Sequence, residues 1–340
     1  MRISSVEVAP WKDDASFVYS VVFDEGTIDC LANAFPLAQQ YDIPGDVAVV
    51  AGQLGEKRHV ERSSLNDYFH MGPDHLKFLL SQGWSISNHS YCHPPLREPD
   101  SIDFAQEIVE SYHILEQALG QPAPIFSSWN SFEVYDTVRA WVQRVPGYLG
   151  LTRASNDAEH INQPDFDPFS IWRNRLCEDD AIAYLPPWLS RGGFEPERVQ
   201  GQWLVDVTHL VMYKTPQGHK CISPYALEGR FDQMRALFGE NMWAANPDDV
   251  VRYAYLRRHC VPAIKQVEDF RATIALDFPQ LPPQIAEGEL TFLVSFADDP
   301  GPVQVSGPDG VVTPAKAGER RIQFTCRVFD TATLSIGCGG

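Results

Sequence analysis

Basic residues are scarce in this chain: 27 Lys and Arg stand against 45 Asp and Glu over 340 residues, a net charge of -18. That balance argues against nucleic acid, whose binding is driven largely by neutralising phosphates, and it disfavours acidic polysaccharides and anionic membrane surfaces. A neutral substrate, or one whose leaving group is an amine, meets no such penalty. No run approaches the roughly 18 uncharged apolar residues of a membrane span. Met1-Arg2-Ile3-Ser4-Ser5-Val6-Glu7 lacks the apolar core of a secretory signal, so a cytoplasmic location is expected. The 7 cysteines form no CxxC pair, the pattern of reduced, buried thiols rather than of a disulfide framework. Beyond position 259 there is no His, Trp or Tyr. The C-terminal part therefore lacks the aromatic platforms with a polar handle that a sugar-binding module needs.

What is present is ordinary for a folded globular chain, with 44% hydrophobic and 21% charged residues. From about Ser16 to Cys260, strand-like runs alternate with helix-like ones. Phe17–Phe23 is a short run of β-formers, and Ile28–Gln40 has helical spacing of apolar residues. Asp46–Ala51 and Trp84–Ser87 read as strands on either side of a helix over Pro73–Gln82 that Gly83 closes. Asp103–Leu119 reads as a helix capped by Asp103 and stopped by Gly120. Further strands are expected at Pro124–Phe126, Tyr148–Leu151 and Trp203–Thr208, and a last helix opens at Asn246-Pro247-Asp248-Asp249. This alternation implies a parallel α/β architecture, a barrel or a doubly wound sheet, with functional groups at the C-terminal ends of strands. After Cys260, short strands separated by Gly, Pro and Asp clusters indicate a small β-sandwich-like domain, suited to scaffolding, a lid edge or contact between copies in a homo-oligomer. The expected domains are 1–262 and 263–340.

The chemistry concentrates after two of these strands. His89-Ser90-Tyr91-Cys92-His93 places two imidazoles four residues apart, a spacing that lets both face one metal ion. Phe23-Asp24-Glu25-Gly26 ends the first strand with adjacent carboxylates, able to supply a third ligand and a general base. Together they point to hydrolysis by metal-activated water. His209 follows a strand on which it shares a face with Val207, Val205 and Trp203, opposite Asp206.

Val21-Val22-Phe23-Asp24-Glu25-Gly26-Thr27, then Ser87-Asn88-His89-Ser90-Tyr91-Cys92-His93, and later Trp203-Leu204-Val205-Asp206-Val207-Thr208-His209, resemble the polysaccharide deacetylase family, the NodB-homology group of carbohydrate esterases. The resemblance covers roughly positions 11 to 260. It implies a distorted (β/α) barrel holding a divalent metal ion, often zinc. By motif position it makes Asp24 the general base, Glu25, His89 and His93 the metal ligands, and His209 the proton donor to the leaving group. The sequence departs from the family pattern at three places. Glu25 stands where the family has Asp. Phe126-Ser127-Ser128-Trp129-Asn130-Ser131 stands where the family carries R-x-P-[YF]-G, so no arginine is available there to orient the base; Arg153 and Arg173 are the candidates to replace it. No D-x-x-D-W motif occurs between Tyr148 and Gln202, leaving Trp172 and Trp188 as candidates for its aromatic. Trp129 and Asn130 are the candidate substrate contacts, at the acyl pocket.

The resulting expectation is a metal-dependent hydrolase removing an acetyl or related acyl group from an N-acetylated small-molecule or oligosaccharide substrate. Two alternatives accompany it: a degenerate relative that binds a saccharide or a partner without hydrolysis, and a hydrolase of linear or cyclic amides outside carbohydrate chemistry.

Overall fold

The structure is a computed structural model and describes residues 2–59, 65–94, 101–129, 134–155, 161–178, 199–214, 220–268, 271–329 and 331–338. By contacts the chain divides into two units, Phe17–Asp249 and Met1–Ser16 with Val250–Gly340. Strand β1 (Ile3–Val8) belongs to the second unit and is taken up with it below.

The first unit is a parallel barrel. Its strands are β2 (Phe17–Glu25), β3 (Gly45–Val49), β4 (Ser85–Asn88), β5 (Ile125–Ser127), β6 (Gly150–Ser155), β7 (Ile171–Arg175) and β8 (Gln202–Thr208). Each pairs with its neighbour in sequence, and β8 returns to β2 to close the ring. A short strand, β9 (Met242–Ala244), completes one edge. It pairs with Phe17–Tyr19 of β2, whereas β3 pairs with Val21–Glu25 farther along the same strand. All nine residues of β2 are buried, as expected of a strand covered on both faces.

Among the described residues, the helices of this unit are α1 (Phe35–Gln40), α2 (Pro73–Ser81), α3 (Ser111–Leu119), α4 (Tyr135–Val142) and α5 (Pro224–Phe238). The helical spacing seen over Ile28–Gln40 and Asp103–Leu119 is realised as a wider turn, Cys30–Ala34 or Ala105–Glu110, running into an α-helix. Asp103 Oδ1 accepts from the backbone N–H groups of Ala105 and Gln106, and Gly120 ends α3 in the left-handed conformation (φ 78°). One face of β2 packs outward: Phe17, Tyr19, Val21 and Phe23 join Leu76, Leu79, Trp84, Phe231 and Phe238 in one apolar cluster. On that outer face Asp206 of β8 accepts from Arg230 of α5 (2.7 Å) and from Tyr19 Oη (2.9 Å). Asp24 and Asp46 therefore lie on the other face, inside the barrel.

Strand β7 is absent from the sequence expectations, and the reason is physical. In Ile171-Trp172-Arg173-Asn174-Arg175, Arg173 and Asn174 are buried, so the strand reads as polar surface although it lines the interior.

Helix α6 (Pro247–His259) carries the chain from one unit to the other. The second unit contains two antiparallel sheets. The first orders β1 beside β12 (Glu287–Phe296), β16 (Arg321–Phe329) and β15 (Ala315–Gly318). The second orders β10 (Val261–Glu268), β11 (Arg271–Asp277), β17 (Thr331–Cys338), β13 (Val303–Gly307) and β14 (Gly310–Val312). The expected boundary at 262/263 assigned β1 to the barrel domain; by contacts β1 groups with the sheets, through its antiparallel pairing with β12. No helix among the described residues is long and apolar enough to cross a membrane.

Candidate metal and catalytic site

The site is built at the C-terminal ends of β2, β4, β7 and β8. Strand alternation would send Asp24 and Glu25 to opposite faces. Glu25 escapes this by adopting φ 81°, a left-handed conformation unusual for a residue with a Cβ. Its carbonyl is held there by His70, whose Nδ1–H donates to it at 2.7 Å. Gly26 follows at φ 73°, where an added Cβ would lie 3.3 Å from the Val49 backbone. Two consecutive acids thus come to lie beside the same pair of histidines because the backbone turns between them.

The loop after β4 is equally constrained. Asn88 Oδ1 accepts from Ser90 N–H (2.8 Å), and Ser90 Oγ accepts from His93 N–H (2.9 Å). Glu107 Oε2 accepts from the N–H groups of Tyr91 and Cys92, both at 3.0 Å, and its Oε1 from the Cys92 thiol. Ser90 and His93 themselves sit at φ 76° and 56°. At Gly52 an added Cβ would stand 2.6 Å from the Tyr91 carbonyl, so the loop after β3 can press against this one only through glycine. Cys92 is turned to Glu107, and its thiol is pushed up to about 12 by burial and by that carboxylate. It stands apart from the donor cluster.

Glu25, His89 and His93 each offer a donor atom, and these atoms lie within 4.8 Å of one another. Glu25 Oε1 is 3.7 Å from His93 Nε2. His89 Nδ1–H donates to the Ser127 carbonyl (2.8 Å), which leaves its Nε2 lone pair for a ligand. Donors bound at about 2.0–2.2 Å stand within about 4.4 Å of each other, so small side-chain shifts suffice for a divalent ion. One carboxylate oxygen and two imidazole nitrogens form a donor set suited to such an ion.

Asp24 lies beside this cluster, its Oδ2 3.9 Å from His89 Nε2. Its Oδ1 accepts from Arg173 Nη1 at 2.6 Å, while Arg173 Nη2 donates to the Ser128 carbonyl at 3.0 Å. Of the two arginines considered from the sequence, Arg173 is the one that reaches the acid. Arg153 stacks over the rings of Trp172 (3.8 Å) and Tyr135 (4.4 Å) instead. Burial pushes the Asp24 carboxyl up, but Arg173, with His89 and His209, outweighs it and holds the group below the ordinary carboxylate value. Glu25 is likewise held well below the ordinary carboxylate value: burial is overcome by His93 and Arg58.

His209 follows β8, and its Nδ1–H donates to the Lys220 carbonyl at 3.1 Å. Burial lowers its pKa, against the opposing pull of the Asp24 and Glu25 charges. His89 is lowered to about 4, chiefly by burial against the opposing charge of Asp24.

Sequence reasoning missed Arg58 and His70. Arg58 sits in the charged run Glu56-Lys57-Arg58-His59, which reads as solvated surface, yet it is 2% exposed and forks onto Glu25 Oε2. It also missed the hydroxyl chain beneath Asp24. Asp46 accepts from Ser85 and Ser87, both at 2.6 Å, and Ser87 continues to Ser127 and Thr152. Burial pushes Asp46 up to about 6 in spite of those two hydrogen bonds. Trp129 is fully buried against Phe126 in a cluster with Tyr135 and Tyr148, with no partner for its indole N–H among the described residues. Asn130 and Trp188 lie outside the described residues.

Residues 12–144, which include Asp24, Glu25, His89 and His93, match the sequence model of the polysaccharide deacetylase family. They form a polysaccharide deacetylase domain. Among solved structures the chain is similar to a probable polysaccharide deacetylase from Pseudomonas aeruginosa, at 15% identity and TM-score 0.48 over 74% of this chain and 95% of that one. It is similar to the PuuE allantoinase at 16% identity and TM-score 0.46, over 73% and 93%. It is also similar to a putative polysaccharide deacetylase from Bacillus anthracis at 18% identity and TM-score 0.35, spanning about half of that protein's length (46%). Comparison with curated proteins found no match.

Proposed function

We propose that the barrel is a metal-dependent hydrolase that removes an acetyl or related acyl group from an N-acetylated sugar or a kindred small amide. The observation that carries this reading is the convergence of Glu25, His89 and His93 beside a buried carboxylate, Asp24, that Arg173 keeps ionised. A divalent ion in that cluster, with zinc the best match to one carboxylate and two imidazoles, would polarise the acyl oxygen and lower the pKa of water.

The remaining work falls to this chain's own side chains. Asp24 Oδ1 is taken by Arg173, so Oδ2 is the atom free to receive the proton of the attacking water. Arg173 also prevents Asp24 from rotating away, since its other nitrogen is tied to the Ser128 carbonyl. His209, steadied through Nδ1 on the Lys220 carbonyl, presents Nε2 to protonate the leaving nitrogen. A lowered pKa makes a protonated His209 the stronger acid, at the cost of a smaller protonated fraction at neutral pH.

The test is acetate release from N-acetylated amino sugars, run beside ring opening of cyclic amides and hydrolysis of linear ones. Acetate release by the native protein, with loss of at least a hundredfold in Asp24→Asn and unchanged metal content, is the expected result. Full turnover in Asp24→Asn would remove the base from the account. Ring opening without acetate release would move the substrate out of carbohydrate chemistry.

A further inference from the structure

We infer that Arg58 is a tuning residue of the metal site, weakening its hold on the ion and restricting Glu25 to one coordinating oxygen. This rests on the metal-site reading above and deepens it. Both Nε and Nη2 of Arg58 lie 2.8 Å from a single atom, Glu25 Oε2. The arginine is itself anchored: Nη1 donates to Asn66 Oδ1 (3.3 Å), and its backbone N–H donates to the Tyr68 carbonyl (2.7 Å). Two residues on, the same excursion of chain supplies His70, which grips the Glu25 carbonyl. Glu25 is thus held at both ends, carboxylate and main chain, by one segment between β3 and α2.

Two consequences follow from the geometry. With Oε2 committed to the guanidinium, only Oε1, the atom facing His93, remains for a cation. Chelation through both oxygens, the mode that large oxygen-seeking ions such as calcium exploit, is closed. A compact ion that accepts one oxygen and two nitrogens is not penalised. The second consequence is electrostatic. Asp24 is paired with Arg173 and Glu25 with Arg58, both pairs buried, so the two acids bring no net negative charge to the centre. An entering dication meets a formally neutral donor set with a permanent positive charge behind its carboxylate ligand. In a buried setting such a charge is screened far less than at the surface, and it opposes cation entry.

A purely structural arginine would give the opposite sign: removing it would let Glu25 drift and metal binding would weaken. The experiment is calorimetric titration of the full chain with zinc alone, then with calcium alone, for the native protein, Arg58→Gln, Arg58→Lys and a His89→Ala control. Thermal shift on adding each ion serves as a second readout. Zinc affinity is expected to rise at least tenfold in Arg58→Gln and calcium binding to become measurable. In Arg58→Lys, which keeps the charge, zinc affinity is expected to stay within about threefold of native. Should Arg58→Gln fold poorly without metal, its zinc-induced thermal shift is expected to exceed that of the native protein. Weaker or equal zinc binding in Arg58→Gln, with the native protein binding normally, overturns the inference and leaves the metal-site reading intact. Failure of the native protein and both Arg58 variants alike to bind zinc overturns the metal-site reading and the inference with it.

Discussion

Asp24 owes its ionised state chiefly to the Arg173 guanidinium, with help from His89 and His209. Burial alone would raise its pKa, and Arg173 at 2.6 Å is the largest of the charges that together reverse the sign. Since Asp24 must be ionised to act as a base, the acid limb of the kcat/KM profile in the native protein is expected below the ordinary carboxylate value of about 4. In Arg173→Met the burial contribution stands unopposed by its main counterweight, so that limb should move up by one or more pH units while kcat falls about a hundredfold. In the proposed reaction, His209 would govern the other side of the profile. It donates only when protonated, and burial has lowered its pKa below the ordinary value of about 6.5. Activity should therefore decline as pH rises through a value under 6.5. Rate profiles in the two proteins check both limbs; an unmoved acid limb in Arg173→Met would contradict the assignment.

At the scale of elements, the helices and strands that position these groups are held by a few buried polar links. Asp206 of β8 is gripped by Arg230 of α5 and by Tyr19 of β2, all three residues inaccessible or nearly so. Removing one partner leaves a buried charge uncompensated, so Arg230→Met is expected to cost about 3–5 kcal/mol, read as a lowered urea midpoint. A change below about 1 kcal/mol would mean that water reaches Asp206. What was legible in the sequence follows the same physics. β2 was visible because, Ser20 apart, it is a run of apolar and aromatic β-formers up to Asp24, and the two histidines were visible because they lie within a single loop. β7 was not, since Arg173 points into a polar interior while Asn174 is buried on the opposite face, and the two together break the apolar pattern that marks a buried strand. Arg58 was hidden for the converse reason: nothing in Glu56-Lys57-Arg58-His59 tells a buried arginine from its exposed neighbours. The left-handed turn at Glu25 left only one trace, the glycine that follows it.

For the whole molecule, alternation of strands and helices announced a parallel α/β body, and closure into a ring came from β2 pairing with both β3 and β8. Strand β1 could not be read in this way, because its partner β12 lies almost the whole chain away and local patterning carries no information about so distant a contact. A metal ion in the proposed site would also tie the barrel's chemistry to its stability. An ion that binds the folded state alone adds about 2.7 kcal/mol at a hundred times its dissociation constant. The most direct test of the account is therefore metal content after zinc loading and dialysis, measured with the melting temperature, for the native protein and for His89→Ala and His93→Ala. The account predicts one ion per native chain and a raised melting temperature, both lost in either variant. No retained ion in the native protein, or a full equivalent in His89→Ala, would contradict it.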